Sequence, residues 1–85
     1  MKHVTIAGLT ELDPLLGELR DVDGLEEKKR GVFYRGSRAF LHFHEDPTGF
    51  YADVRLDGTE FERMRVSTKA ERKRLLSRVR AAMRR

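Results

Sequence analysis

The stretch Ala39-Phe-Leu-His-Phe-His-Glu-Asp46 constrains the fold more than any other part of the chain. Its side chains alternate in polarity, and successive strand residues point to opposite sides of a sheet. Leu41 and Phe43 therefore share one face, and His42 and His44 share the other. Asp46-Pro-Thr-Gly49 supplies turn residues directly after it, and Phe50 to Leu56 alternates again. Closing that turn pairs Glu45 with Phe50, Phe43 with Ala52 and Leu41 with Val54. The same register sets His44 against Tyr51, His42 against Asp53 and Phe40 against Arg55. A shift of one residue would turn the apolar set to the wrong side, so polarity alone selects this pairing.

Two further β-like segments flank the hairpin, Val32 to Arg35 and Glu60 to Val66, joined to it through Gly36-Ser37 and Asp57-Gly58. Asp-Gly is a strong two-residue hairpin signal. Closing Gly36-Ser37 puts Tyr34 and Val32 on the core face and Phe33 against Phe40 on the histidine face. Closing Asp57-Gly58 sends Phe61 and Arg63 to the core face and Met64 and Val66 to the histidine face. A bulge near Glu62 would reverse that awkward assignment.

Helical periodicity bounds the sheet segments on both sides. Leu12, Leu15, Leu16, Leu19 and Val22 space as one helical face, with Asp13 placed to cap and Pro14 suited to the first position. This predicts a helix from about Pro14 to Asp21, ended by Asp23-Gly24. Val4-Thr-Ile6 reads as a short strand or a lead-in. Thr68-Lys-Ala-Glu71 has the spacing of a capping box, and Leu75, Leu76, Val79, Ala82 and Met83 recur as an apolar stripe behind it.

A chain of 85 residues, 39 % hydrophobic and 38 % charged, supports one core and not two. Residues 1–85 are accordingly read as one α+β domain: a four-stranded antiparallel β-meander with an N-terminal and a C-terminal helix packed on its aliphatic face. The chain has no cysteine, no apolar run near the roughly 18 residues of a membrane span, and no basic-then-apolar leader. These features predict a cytoplasmic protein with no membrane partner. So small a core without disulfides also favours self-association as a homodimer.

The second sheet face carries Phe33, Phe40, His42, His44, Tyr51, Asp53 and Arg55, more aromatic area than a simply solvated face needs. It is read as a non-enzymatic binding surface, covered by a second copy, a small ligand or the N-terminal segment. His42, His44 and Asp53, with Asp46 nearby, offer the imidazole and carboxylate donors of zinc or iron sites. The same spacing suits a packed pair in which His42 hydrogen-bonds Asp53, and neither a stoichiometric metal nor another cofactor is expected. A His42–Asp53 couple also resembles the orienting half of a catalytic triad. However, the chain lacks cysteine, and Ser37 and Ser67 fall at a turn and a helix start. The glycines are scattered, so no phosphate-cradling loop is present.

Charge suggests an alternative function. Residues 1–66 hold 10 basic and 13 acidic side chains, whereas residues 67–85 hold 8 and 1. Lys73, Arg74, Arg78 and Arg80 are the candidate phosphate contacts of a nucleic-acid-binding helix, set against the plainer reading of a solvated face that balances an acidic body.

Leu19-Arg-Asp-Val-Asp-Gly-Leu-Glu-Glu27, Gly31-Val-Phe-Tyr34 and Phe40-Leu-His-Phe43 together resemble the start of the small bacterial YjbR/MmcQ-like proteins. In that family a helix leads through a turn into antiparallel strands. The resemblance spans residues 15 to 60 and carries no catalytic motif. Phe40 to Asp46 and the arginine-rich tail depart from the family's pattern. It implies an α+β fold and, from the role suggested for the family, DNA binding. The preference for Arg over Lys is that of a high-GC bacterial source.

Overall fold

The computed structural model describes residues 2–84, in the order β1 (Lys2–His3), α1 (Ile6–Arg20), β2 (Leu25–Lys29), β3 (Val32–Arg35), β4 (Arg38–Asp46), β5 (Gly49–Val54), β6 (Glu62–Arg65) and α2 (Lys69–Met83). The strands form one antiparallel sheet in the order β2-β3-β4-β5-β6, with β1 added beside the C-terminal half of β4. Six strands thus replace the four expected. β1 falls two residues before the proposed Val4 lead-in. β2 was missed because Leu25-Glu-Glu-Lys-Lys29 lacks the alternation that marks a half-buried strand.

Helix α1 begins eight residues before Pro14. Thr5, not Asp13, is its cap, accepting a hydrogen bond from the Gly8 N–H at 3.1 Å, and Pro14 lies inside the helix. The Glu45 carboxylate in turn accepts from the Thr5 N–H and hydroxyl, which ties the helix start to β4. Gly8 is required at this crossing, because a Cβ there would sit 2.6 Å from a Val4 methyl and 2.9 Å from the Phe50 ring. Helix α2 starts as its capping box predicts. Thr68 Oγ1 accepts from the Glu71 N–H at 3.1 Å, and Glu71 accepts from the Thr68 N–H at 3.0 Å.

Both helices contribute to one core with the same side of the sheet. Leu12, Leu16 and Leu19 of α1 and Leu75 and Val79 of α2 are fully buried in one cluster with Leu41, Phe43, Ala52 and Val54. The β4–β5 register is the one derived from polarity, including Leu41 opposite Val54 and His42 opposite Asp53. No helix among the described residues is long and apolar enough to cross a membrane.

Two pairings depart from expectation, and both change what lies on the outer face. Between β3 and β4, Tyr34 pairs with Ala39 but Phe33 pairs with Leu41, leaving Phe40 as an extra, unpaired residue. This bulge turns Phe40 and Leu41 both inward, and it carries Phe33 inward with them. Phe33 and Phe40 are therefore core side chains and not part of the binding face. Between β5 and β6, Val54 pairs with Glu62 and Asp53 with Arg63, one residue away from the register of a two-residue Asp57-Gly58 turn. The slip exchanges the faces: Val66 is buried in the core with Met64 packed against it, whereas Phe61 and Arg63 join the histidines.

Candidate ligand-binding face

The sheet side opposite the helices is organised around His42 and His44, which strand alternation projects outward from the centre of β4. Their rings meet edge to face with centroids 4.8 Å apart. His3, delivered by β1, stacks on His44 at 5.2 Å, and Phe61 meets His42 edge-on at 5.1 Å. The Arg55 guanidinium lies 4.3 Å over the Phe61 centroid, extending the patch by a cation–π contact. Tyr51 points its hydroxyl to Thr48 Oγ1 at 2.7 Å, at the far end of the face.

Asp53 anchors the charged part. Arg63 donates Nε to Oδ1 at 2.8 Å and Nη2 to Oδ2 at 2.9 Å, a bidentate pair across β5 and β6. These hydrogen bonds outweigh burial and hold the carboxyl below its usual range. The histidine nearest to Asp53 is His44, with Nε2 at 3.1 Å from Oδ2, and not the directly opposed His42. That approach lacks hydrogen-bond alignment, because His44 Nε2 has no hydrogen-bond partner. The expected His42–Asp53 hydrogen bond is likewise absent among the described residues.

Among the described residues, three buried ring nitrogens, Nδ1 of His42 and both nitrogens of His44, have no hydrogen-bond partner, nor does Arg55 Nε, and His44 Nε2 has only its unaligned approach to Asp53. Burial disfavours the protonated form of His42, and the neighbouring His44 adds to this against the pull of Asp53. The His42 imidazole is thereby held below the usual imidazole range. Asp46 stands apart from the cluster, because its carboxylate accepts from the Thr48 N–H at 2.8 Å within the turn.

Beside His42 the sheet has a gap. β1 pairs with β4 at His44 and Glu45, β3 pairs with the same edge from His42 backward, and Phe43 lies between the two. A cleft of about 500 Å³ opens there, floored by Val4, Leu9 and Val32. His3, His42, Lys29 and Arg30 line it, and no aspartate or glutamate among the described residues does.

Of the seven residues predicted for the face, His42, His44, Tyr51, Asp53 and Arg55 are brought together and Phe33 and Phe40 are not. His3, Phe61 and Arg63 are members that the sequence reading missed. The candidate nucleic-acid contacts divide between two surfaces. Lys73 and Arg80 line a hollow shared with Pro14 and Leu15 of α1, whereas Arg74 and Arg78 face β6. Arg78 is moreover paired with Glu62 at 2.9 Å. Comparison with known proteins finds no matching family model, no matching curated relative and no matching solved structure.

Proposed function

We propose that this chain is a small binding module and not an enzyme, and that its ligand is a small organic anion with an apolar body, held in the cleft beside His42. The observation that carries this reading is the cleft's lining: two histidines, a lysine and an arginine around an apolar floor, with no carboxylate of a described residue among them. An anion entering there gains hydrogen bonds from donors already in place, while its apolar part replaces water over Val4, Leu9 and Val32. Arg30 keeps two long contacts among the described residues, with Asp13 at 3.8 Å and Thr10 Oγ1 at 3.5 Å, and remains available to a ligand. A cytoplasmic location is proposed with this reading.

Benzoate serves as the probe, titrated into isotope-labelled protein and followed by amide shifts, with native mass spectrometry of the same sample. The expected result is saturable shifts centred on Val32, Tyr34 and His42 that vanish in His42→Ala. Shifts that ignore His42→Ala would overturn the reading. So would a stable dimer mass with the amides of His42, His44 and Tyr51 at the interface, because a second copy would then own the face.

A further inference from the structure

His44 Nε2 and Asp53 Oδ2 are 3.1 Å apart and yet do not hydrogen-bond. Two donor atoms set side by side without bonding to each other have the spacing of two ligands on one ion. Metal–ligand bonds of about 2.0–2.2 Å at a tetrahedral angle hold neighbouring ligand atoms roughly 3.3 Å apart. A third donor is at hand, because one ligand atom each from His42, His44 and Asp53 lie within 4.8 Å of one another. The imidazole χ2 well is broad, so ring rotation can carry these donors toward a common ion.

The competing account is a purely structural cluster in which Arg63 neutralises Asp53 and the rings only pack. It explains Arg63 but leaves three buried ring nitrogens without partners, an arrangement folded proteins rarely keep. A cation would engage one nitrogen of each ring, so at most one of the three stays without a partner, and it keeps the arginine. Arg63 Nε grips Oδ1 at 2.8 Å, and Oδ2 has a second lone pair beyond the one that accepts from Nη2. Arg63 then acts as the outer group that fixes the orientation of a ligating carboxylate.

We propose that His42, His44 and Asp53 form a site for a divalent transition metal of the zinc class, open at its fourth position, with Arg63 as its positioning residue. Two imidazoles and one carboxylate suit zinc, and they are poor ligands for magnesium or calcium, which take oxygen alone. The proposal rests on reading this face as ligand-binding and gives that face a second occupant beside the cleft.

The test titrates zinc chloride into the full chain after chelator treatment and dialysis, by calorimetry and thermal unfolding, with cobalt as a spectroscopic substitute. One zinc per chain, a raised Tm and intense tetrahedral cobalt absorption are expected. His44→Ala and Asp53→Asn should each abolish saturable binding, and Arg63→Ala should weaken it by about 10- to 100-fold. If His44→Ala folds poorly, His44→Phe keeps the ring and removes the donors. Absence of saturable binding in the wild type would overturn the proposal, as would binding that survives both His44→Phe and Asp53→Asn. Neither His44 nor Asp53 lines the cleft. Benzoate binding that persists in these variants separates loss of the metal site from failure of the cleft reading.

Discussion

The two faces of the sheet are built from the same strands under opposite rules. On the helix side, Leu41, Phe43, Ala52 and Val54 meet the leucines of α1 and α2, and no polar or charged residue among those described is buried. On the outer side the alternate residues of the same strands are half-buried, charged or aromatic, and three ring nitrogens have no hydrogen-bond partner among the described residues. Stability resides in the first face, and unspent bonding capacity in the second. Substitutions on the two should therefore separate cleanly, one set changing unfolding free energy and the other changing what the protein binds.

The largest expected effect is at Leu41, which is fully buried opposite Val54. Leu41→Ala should cost about 2–5 kcal/mol, enough to unfold a domain of ordinary marginal stability. Urea denaturation showing less than about 1 kcal/mol of loss would break the assignment of stability to this face. Gly8→Ala comes next. Its Cβ would press on the Val4 methyl and the Phe50 ring, an overpacking expected to cost about 1–3 kcal/mol at the seam between α1 and the sheet. Unchanged stability would mean that α1 can lift from the sheet without penalty.

A smaller effect tests the rim of the helix side. Burial opposes ionisation of Glu27, but its bonds with the Arg20 guanidinium and the Gly31 N–H prevail and hold the carboxyl below its ordinary range. A carboxylate depressed in the folded state adds stability above its unfolded pKa and loses it as pH falls through its folded pKa. Glu27→Gln should thus cost about 1 kcal/mol at neutral pH, discounted for the exposed Arg20 partner. The gap should narrow in acid. A deficit that stays constant from neutral pH down to strongly acid conditions would show that the pairing is not electrostatic.

The smallest effect sharpens the comparison most. His44→Phe keeps an aromatic ring and removes two unpartnered nitrogens, so stability should change by no more than about 0.5 kcal/mol and rise if it moves at all. A loss comparable to that of Leu41→Ala would mean the outer face is structural after all, and the division between faces would fail.

The legibility of these features in the sequence followed the length of the connections. The β4–β5 register could be derived because two alternating segments flank a four-residue turn, and that register also placed His42, His44, Tyr51 and Asp53 on one face. The Thr68–Glu71 cap was readable because its partners are local. The β5–β6 link runs from Arg55 to Phe61, too long for its Asp-Gly pair to set the register, and the slip of one residue moved Phe61 and Arg63 outward. An arginine assigned to the core, with Met64 and Val66 assigned outward, was the visible sign of that error. The Phe40 bulge left no such sign, because Phe33 and Phe40 suit either face. His3 was missed because a two-residue strand is recognised only by its partner.

The order of the strands leaves β2 and β6 at the two ends of the main ladder, with β1 a two-residue edge beside β4. β2 reads Leu-Glu-Glu-Lys-Lys and β6 reads Glu-Arg-Met-Arg, so each margin offers its unpaired backbone groups through a fence of mixed charge. A strand arriving from another molecule would have to desolvate those side chains to continue the ladder. Sheet-to-sheet growth at these two ends is thereby discouraged, and a histidine-bearing surface can remain open in a crowded solution without the molecule polymerising through β2 or β6.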